Sequence, residues 1–550
     1  MDVSGVANGR ALREAGRFAE AVAVLEHAVA EHPGDLDARR CLAEALLAHG
    51  NSLVRDRPSE AERRYRQAIY AVPGFFAAIS NLGEALVEQL RLPEALTMFR
   101  TALTLRPSDA NSGFSYAVAL LLSGDLAEGW HHFEARRAMA AWHYDRRHEL
   151  PQWQEGMPVR GRRVLLMSEQ GIGDVIQFSR YAPLLAGSGI DVTLEVPAAL
   201  LPLFAAMRGL RAVIRPDEPA DDCDLACPLM SLPLMCGTSI DRIPPDPPLL
   251  YVPPERTAMW RDWLGPCQER RIGLVCSGDP RNPKDATRSI PLTALAPLLS
   301  VAGCRFVLLQ PELRPADCAA ATAIPGLMRP NDLLRDFADT AAIVRQLDLV
   351  IAADTGVAHL AATLGCPVWL LLPQRPDWRW MLHRRDSPWY PTIRLYRQPS
   401  RGAWDDVAAA VRDDLVEFCA AAAQRSVGAA RLANLAHLPM ARSGDKEHAR
   451  GVAHAVVQVA GNPDLTTAQE LYCAGHLDKA ATACRAILEH DVAASGASAR
   501  PSPFHPAVAA GADIGSTRLR LCPVAAGTAR CRRDGTGRDA VAPLAGRRAA

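Results

Sequence analysis

Through the first 135 residues, small and apolar side chains return at helical spacing, and the pattern itself recurs about every 34 residues. Ala21, Ala28 and Pro33 are echoed by Ala61, Ala68 and Pro73, then by Ala95, Ala102 and Pro107. This predicts pairs of helices, with small residues where the two cross and Pro closing the second. Gly16, Gly50 and Gly124 are expected to mark the turns between helices, with six extra residues lengthening the turn of the second unit. A fourth unit, GFSYAVALLLSGDLAEGWHHFEARR, has Gly129 where the others have Ala and ends in charge. After a linker bearing Pro151, Trp153, Gly156 and Gly161, short apolar runs alternate with helical segments: RRVLLMS, 174–188, IDVTLEV, 197–207, LRAVIR, DLACPL. Beyond IPPDPPLLYVPPE (243–255), the strands RIGLVCSG, CRFVLLQ, LDLVIAAD and PVWLLLP alternate with helices near 292–300, 332–346 and 356–365. The helix 404–425 closes the series.

The 34-residue unit has the tetratricopeptide signature, the fourth copy resembling a capping repeat. Such solenoids bind a peptide on their concave face or serve only to hold a neighbouring domain or a dimer together, and both readings stand. The strand–helix alternation predicts parallel sheets in two Rossmann-like halves, with a cleft between their carboxyl ends. The expected fold class is therefore multidomain: an all-α solenoid followed by α/β. Residues 465–491 resemble one more repeat unit; the Ala-, Arg-, Gly- and Pro-rich text after it predicts a disordered tail or an out-of-frame remnant of a second array.

With 550 residues, two to four domains are expected. Sixty-one basic residues balance sixty-one acidic ones, which provides no field for nucleic acid or an anionic membrane. No run approaches a transmembrane length and the N-terminus lacks a signal-peptide core, so a cytoplasmic protein is expected. Fourteen cysteines without a CxxC pair read as free, mostly buried thiols.

Two stretches carry chemistry. SEQGIGDVI (168–176) offers Gly171 and Gly173 to a dinucleotide fingerprint, with Glu195 as a candidate ribose acid, but places Ile176 at the third glycine position. Asp174 at the helix start would repel a pyrophosphate. The carboxylate is either a general base at the rim of the cleft or a first-turn acid. In the second half, Asp354-Thr355-Gly356-Val357-Ala358-His359 ends a strand and opens a helix, an anion site with His359 about one turn in. Trp378, Arg379, Trp380, Trp389 and Tyr390 form a cluster read chiefly as interdomain packing, with stacking on a nucleobase or sugar as the other use.

GIGDVIQFSRYAPLL, RSIPL and DTGVAHLAATLG together resemble the ADP-heptose:lipopolysaccharide heptosyltransferases, inverting enzymes of glycosyltransferase family 9 with the GT-B fold, over roughly 160–420. The chain is most similar to bacterial tetratricopeptide proteins bearing a heptosyltransferase-like domain, which GDLAEGWHHFEARR, DFADTAAIV, PDWRWML and SPWYPTIRLYRQP also resemble. The resemblance implies Asp174 as catalytic aspartate and Asp354, Thr355, Gly356 and His359 as donor-binding, with Ser277 and Gly278 near the donor diphosphate. Arg288 stands where the family tends to have Lys, with Lys284 a competing candidate; S-P-W-Y replaces the usual G-P-x-G.

The segments implied are 1–137 repeats, 138–160 linker, 161–250 N-terminal lobe, 251–425 C-terminal donor-binding lobe, 426–464 linker, 465–491 isolated unit and 492–550 tail. The implied function is metal-independent, inverting transfer of a heptose or other sugar from a nucleotide-diphosphate donor to an acceptor hydroxyl, with no cofactor. The repeats would recruit a protein partner or the acceptor, which is a saccharide or, by analogy with O-linked N-acetylglucosamine transferases, a protein. The alternative is a non-catalytic scaffold with a degenerate GT-B unit.

Overall fold

The computed structural model describes residues 3–139, 149–244, 250–281 and 285–436. The unit expected at 465–491, the tail at 492–550 and Lys284 lie outside them. Eight helices come first, in four pairs: Val3–Glu14 with Phe18–Glu31, Leu36–Leu53 with Pro58–Ala71, Phe76–Glu88 with Leu92–Leu105, and Ala110–Ser123 with Leu126–Phe133. Ala21, Ala61 and Ala95, and Ala28, Ala68 and Ala102, are all buried where helices cross, which is why the small residues recur. Asp35, Asp109 and Asp125 cap the helices that follow them, each accepting from backbone N–H groups, a contribution of about 1 kcal/mol per cap.

Gly50 is not in a turn. The helix Leu36–Leu53 runs through it, and a Cβ there would lie 2.4 Å from the Tyr65 ring. Of the residues expected to lengthen a turn, Asn51, Ser52 and Leu53 instead extend the helix while 54–57 form the turn, and Gly50 lets the helix lie against Tyr65. Gly129 likewise admits Leu121, whose Cδ2 would lie 2.6 Å from an added Cβ.

Two all-parallel sheets follow. The first has order β3-β2-β1-β4, with β1 Arg163–Met167, β2 Asp191–Glu195, β3 Ala212–Ile214 and β4 Leu225–Pro228. The second has order β6-β5-β7-β8-β9, with β5 Arg270–Val275, β6 Cys304–Leu308, β7 Leu349–Ala353, β8 Val368–Leu372 and β9 Ile393–Arg397. The central strands β7 and β8 are buried at every position, as a parallel sheet covered on both faces requires. Each sheet places loops and helix starts at its carboxyl edge, the location of ligand sites in open α/β folds.

The helix expected over 174–188 is two, Ile172–Phe178 and Tyr181–Gly187. At the junction the Ser179 hydroxyl donates to the Ile176 carbonyl, and Arg180 Nε donates to the Gln177 carbonyl, so side chains take acceptors at the end of the first helix. The helix expected to close the series at 425 runs from Trp404 to Ala436.

The repeats dock on the α/β region through their last helix pair, with Glu88 of the third pair also bound to Arg375. Trp130 is buried, with ring centroids 5.2 Å from Trp378, 6.3 Å from Phe178 and 6.3 Å from Trp389. Beyond it, Arg136 is fully buried and bonds Glu134, Glu169 and Ser231. Of the ten described cysteines, all free, five are buried, fewer than the mostly buried set expected.

Trp130→Ala is expected to lower unfolding stability by about 3–5 kcal/mol in urea denaturation, because it empties the joint between repeats and lobes. Tyr70→Ala, at a ring 90% exposed, should change it by less than about 0.5 kcal/mol.

Candidate active site where two helix starts meet

The strand β1 delivers the loop Ser168-Glu169-Gln170-Gly171. Gln170 has a positive φ of 58°, a left-handed turn that an L-residue adopts only when its surroundings impose it. Those surroundings are specific. Ser168 Oγ donates to Glu195 Oε1 over 2.7 Å, and Glu169 accepts from Arg136 Nη2 at 2.9 Å and from the Met230 N–H at 2.8 Å. Glu195, the candidate ribose acid, is thus a buried brace for the loop.

Asp174 is the third residue of Ile172–Phe178. One oxygen, Oδ2, accepts from the Gly171 N–H at 2.8 Å, the first-turn role; the other, Oδ1, accepts from Arg379 Nη2 in the opposite lobe. Burial pushes its pKa above the ordinary carboxylate value, opposed by the Arg379 charge. A carboxylate in that balance is a stronger proton acceptor than one in water.

Across the junction, β7 delivers Asp354 and Thr355, and helix Gly356–Thr363 begins. Thr355 holds the cap position without a cap hydrogen bond, and its buried Oγ1 has no partner among the described residues. The two helix starts touch. A Cβ on Gly173 would lie 2.7 Å from His359 Cδ2, and one on Gly356 would lie 3.2 Å from Ile172 Cγ2. Gly173 is therefore needed for contact with His359, a use the fingerprint reading did not contain.

His359 Nδ1 lies 2.9 Å from the Tyr390 hydroxyl and Nε2 lies 4.0 Å from Asp354 Oδ1. Burial, then the Arg379 charge, lowers its pKa to about 3, so the imidazole is neutral at physiological pH. Burial, with the nearby Asp377 charge, raises Asp354 to about 6.

Arg379, on the short turn Trp378–Trp380, organises the junction. Its Nε donates to Gln177 Oε1 at 2.7 Å, Nη1 to Asp377 Oδ1 at 2.7 Å and Nη2 to Asp174, while the guanidinium lies 4.4 Å from the Trp378 ring centroid. The aromatic cluster is buried and packs mainly on itself, on Trp130 and on Arg180, which lies 4.9 Å from the Tyr390 ring and donates to the Trp389 carbonyl at 3.0 Å.

Ser277 and Gly278 follow β5. Arg288 joins this turn to the helix start: its Nη1 donates to the Asp354 carbonyl at 2.9 Å and its Nε approaches Asp285 Oδ1 at 3.4 Å. The buried Asp285 carboxylate also accepts from the Gly278 N–H at 3.0 Å, while the Ser277 N–H donates to Gln310 Oε1 at 3.1 Å. All eight candidate residues thus lie on one connected set of loops and short helix segments, but an internal carboxylate sits on the donors expected to receive a diphosphate. Arg379, Gln177 and Asp285 were not singled out as site residues. Arg379 stands in the sequence among aromatics, and two of its partners, Gln177 and Asp174, lie 202 and 205 residues away in the chain.

Among the described residues no cluster of three or more His, Cys, Asp or Glu is placed to hold a metal ion. Nor, among them, is any helix long and apolar enough to cross a membrane.

The tetratricopeptide repeat family matches residues 12–52, 53–110 and 80–135, so this region consists of such repeats. Protein FlbA of Caulobacter vibrioides is 27% identical over 450 residues, covering 76% of this chain and 74% of that protein. Among solved structures, a glycosyl transferase of family 9 from Veillonella parvula is 11% identical, with a TM-score of 0.32 over 44% of this chain and 87% of its own. A thermophilic tetratricopeptide protein of Thermus thermophilus is 22% identical, with a TM-score of 0.20 over 26% of this chain and 75% of its own.

The His359 ring resonances are expected to stay flat by NMR between pH 8 and 5; a midpoint near 6.5 would contradict the buried neutral ring. For Asp354 the folded pKa of about 6 exceeds the unfolded value, so its stabilising contribution is present below about pH 4 and is lost as pH rises through 6. Asp354→Asn should accordingly raise unfolding stability at pH 7, by up to about 3 kcal/mol, and leave it unchanged at pH 4.

Proposed function

We propose that the α/β region is a glycosyltransferase that moves a sugar from a nucleotide-diphosphate donor to an acceptor hydroxyl. The observation that carries this reading is the junction itself. Asp174 from one lobe and the Asp354–His359 helix start from the other are in contact through Gly173 and His359. In the proposed displacement the acceptor oxygen bonds to the anomeric carbon and the bond from that carbon to the diphosphate oxygen breaks. Asp174 takes the acceptor proton, and the configuration at the anomeric carbon inverts. Charge growing on the departing diphosphate would be met by Arg288 and the first-turn N–H groups of Gly356–Thr363, with the unpartnered Thr355 hydroxyl available to the same group. These groups supply fixed positive potential from the chain's own residues. The repeats are proposed to bring in a protein partner or the acceptor.

A second reading, a scaffold with a degenerate α/β unit, is favoured by two observations. Asp285 occupies the Gly278 N–H and approaches Arg288, and Asp174 is already engaged by Arg379.

Nucleotide diphosphate release on incubation with a panel of nucleotide sugars and acceptors separates the two. Turnover should fall by about 10²–10⁴ in Asp174→Asn, the usual worth of a general base, while the variant still binds nucleotide diphosphate in a thermal-shift assay. Silence of the wild-type protein across the panel, or full turnover in the variant, would favour the scaffold.

A further inference from the structure

Beside β9, the edge strand of the second sheet, lies a pocket of about 390 Å³, closed on its far side by helix Trp404–Ala436. Four arginines line it, Arg384, Arg385, Arg394 and Arg397, against two aspartates, Asp406 and Asp414. Their pairing leaves positive charge over. Arg394 is bound to Asp414 at 2.5 Å, and Arg384 to Asp386 at 2.8 Å. Arg397 has no carboxylate partner among the described residues: its Nη2 donates to the Trp380 and Arg384 carbonyls, while Nε and Nη1 are buried without a partner. The exposed Arg385 side chain has no ion-pair partner among them either, and Asp406 pairs with none of the four.

A guanidinium held out of water without a counter-charge is costly, and the planar fork of arginine suits phosphate and carboxylate oxygens. We propose that this pocket is an anion site, taking a small molecule with at least two negative charges, a phosphate ester or a polycarboxylate. Its volume is that of a small-molecule site. Arg385 at the mouth draws the anion in, and the uncompensated charge of Arg397, whose Nε and Nη1 are buried behind the wall, adds attraction through space rather than by contact. Burial and the neighbouring Arg384 charge lower the Arg397 pKa to about 10, a strain that a bound anion relieves. The site also lies behind the junction: the carbonyl held by Arg397 belongs to Trp380, next in the chain to Arg379, so an occupant acts on the turn that grips Asp174.

Isothermal calorimetry on the full chain, with inorganic pyrophosphate and citrate as probes, tests this. Wild type should bind at least one probe. That binding should persist in Arg288→Gln, weaken by at least about tenfold in Arg385→Glu and partly return in Arg385→Lys. Pyrophosphate alone assigns a phosphate ester, citrate alone a polycarboxylate. No binding of either probe, undiminished binding in Arg385→Glu, or loss in Arg288→Gln instead would overturn the proposal. The variant at 288 keeps this outcome separate from any failure of the donor site.

Discussion

A buried ion pair, Arg379 with Asp174, sets the geometry around which the α/β region is built. Both side chains are largely removed from water, 8% and 16% exposed, so neither charge is well solvated without the other. Such a pair holds only when the remaining hydrogen-bonding capacity is also used, and here it is. The three guanidinium nitrogens reach Asp174, Gln177 and Asp377, and the flat face rests on Trp378. Asp174 and Gln177 are three residues apart and so share one helix face, which lets a single arginine of the second lobe grip the first helix at two points. Because the grip is directional, it fixes the approach of the two helix starts and hence the place of His359.

The repeats are part of this construction. Trp130 packs on the residue before Arg379, and Arg136 holds Glu169 in the loop before Asp174. The last repeat therefore supports both halves of the junction, one through an aromatic contact and one through a charged hydrogen bond. A load on the solenoid has a short path to the loop and the turn that carry the ion pair.

Charge at the junction is governed by burial. His359 stays neutral because it is buried near Arg379, and Asp354 is held close to its titration point by burial beside Asp377. Asp285, itself buried, accepts from the Gly278 N–H. These are effects of desolvation and of neighbours brought from distant parts of the chain, and they make the protonation state of the site differ from that of the same side chains in water.

The helical repeats, the succession of strands along the chain and the two helix starts were legible in the amino-acid sequence, because those features rest on local periodicity and on residues adjacent in the chain. Ala21, Ala61 and Ala95 can be read as crossing points since each repeat presents the same spacing. The partners of Asp174 were not legible. Arg379 lies 205 residues further on, amid aromatics that read as packing, and nothing local distinguishes a guanidinium that stacks from one that also reaches a carboxylate. Gly50 and Gly173 show the same limit: a glycine in sequence reads as a turn or a phosphate approach, and only the position of Tyr65 or His359 against it decides that it serves close packing. Local spacing dictates which element forms; which side chains meet, and in what charge state, follows from the tertiary packing that excludes water around them.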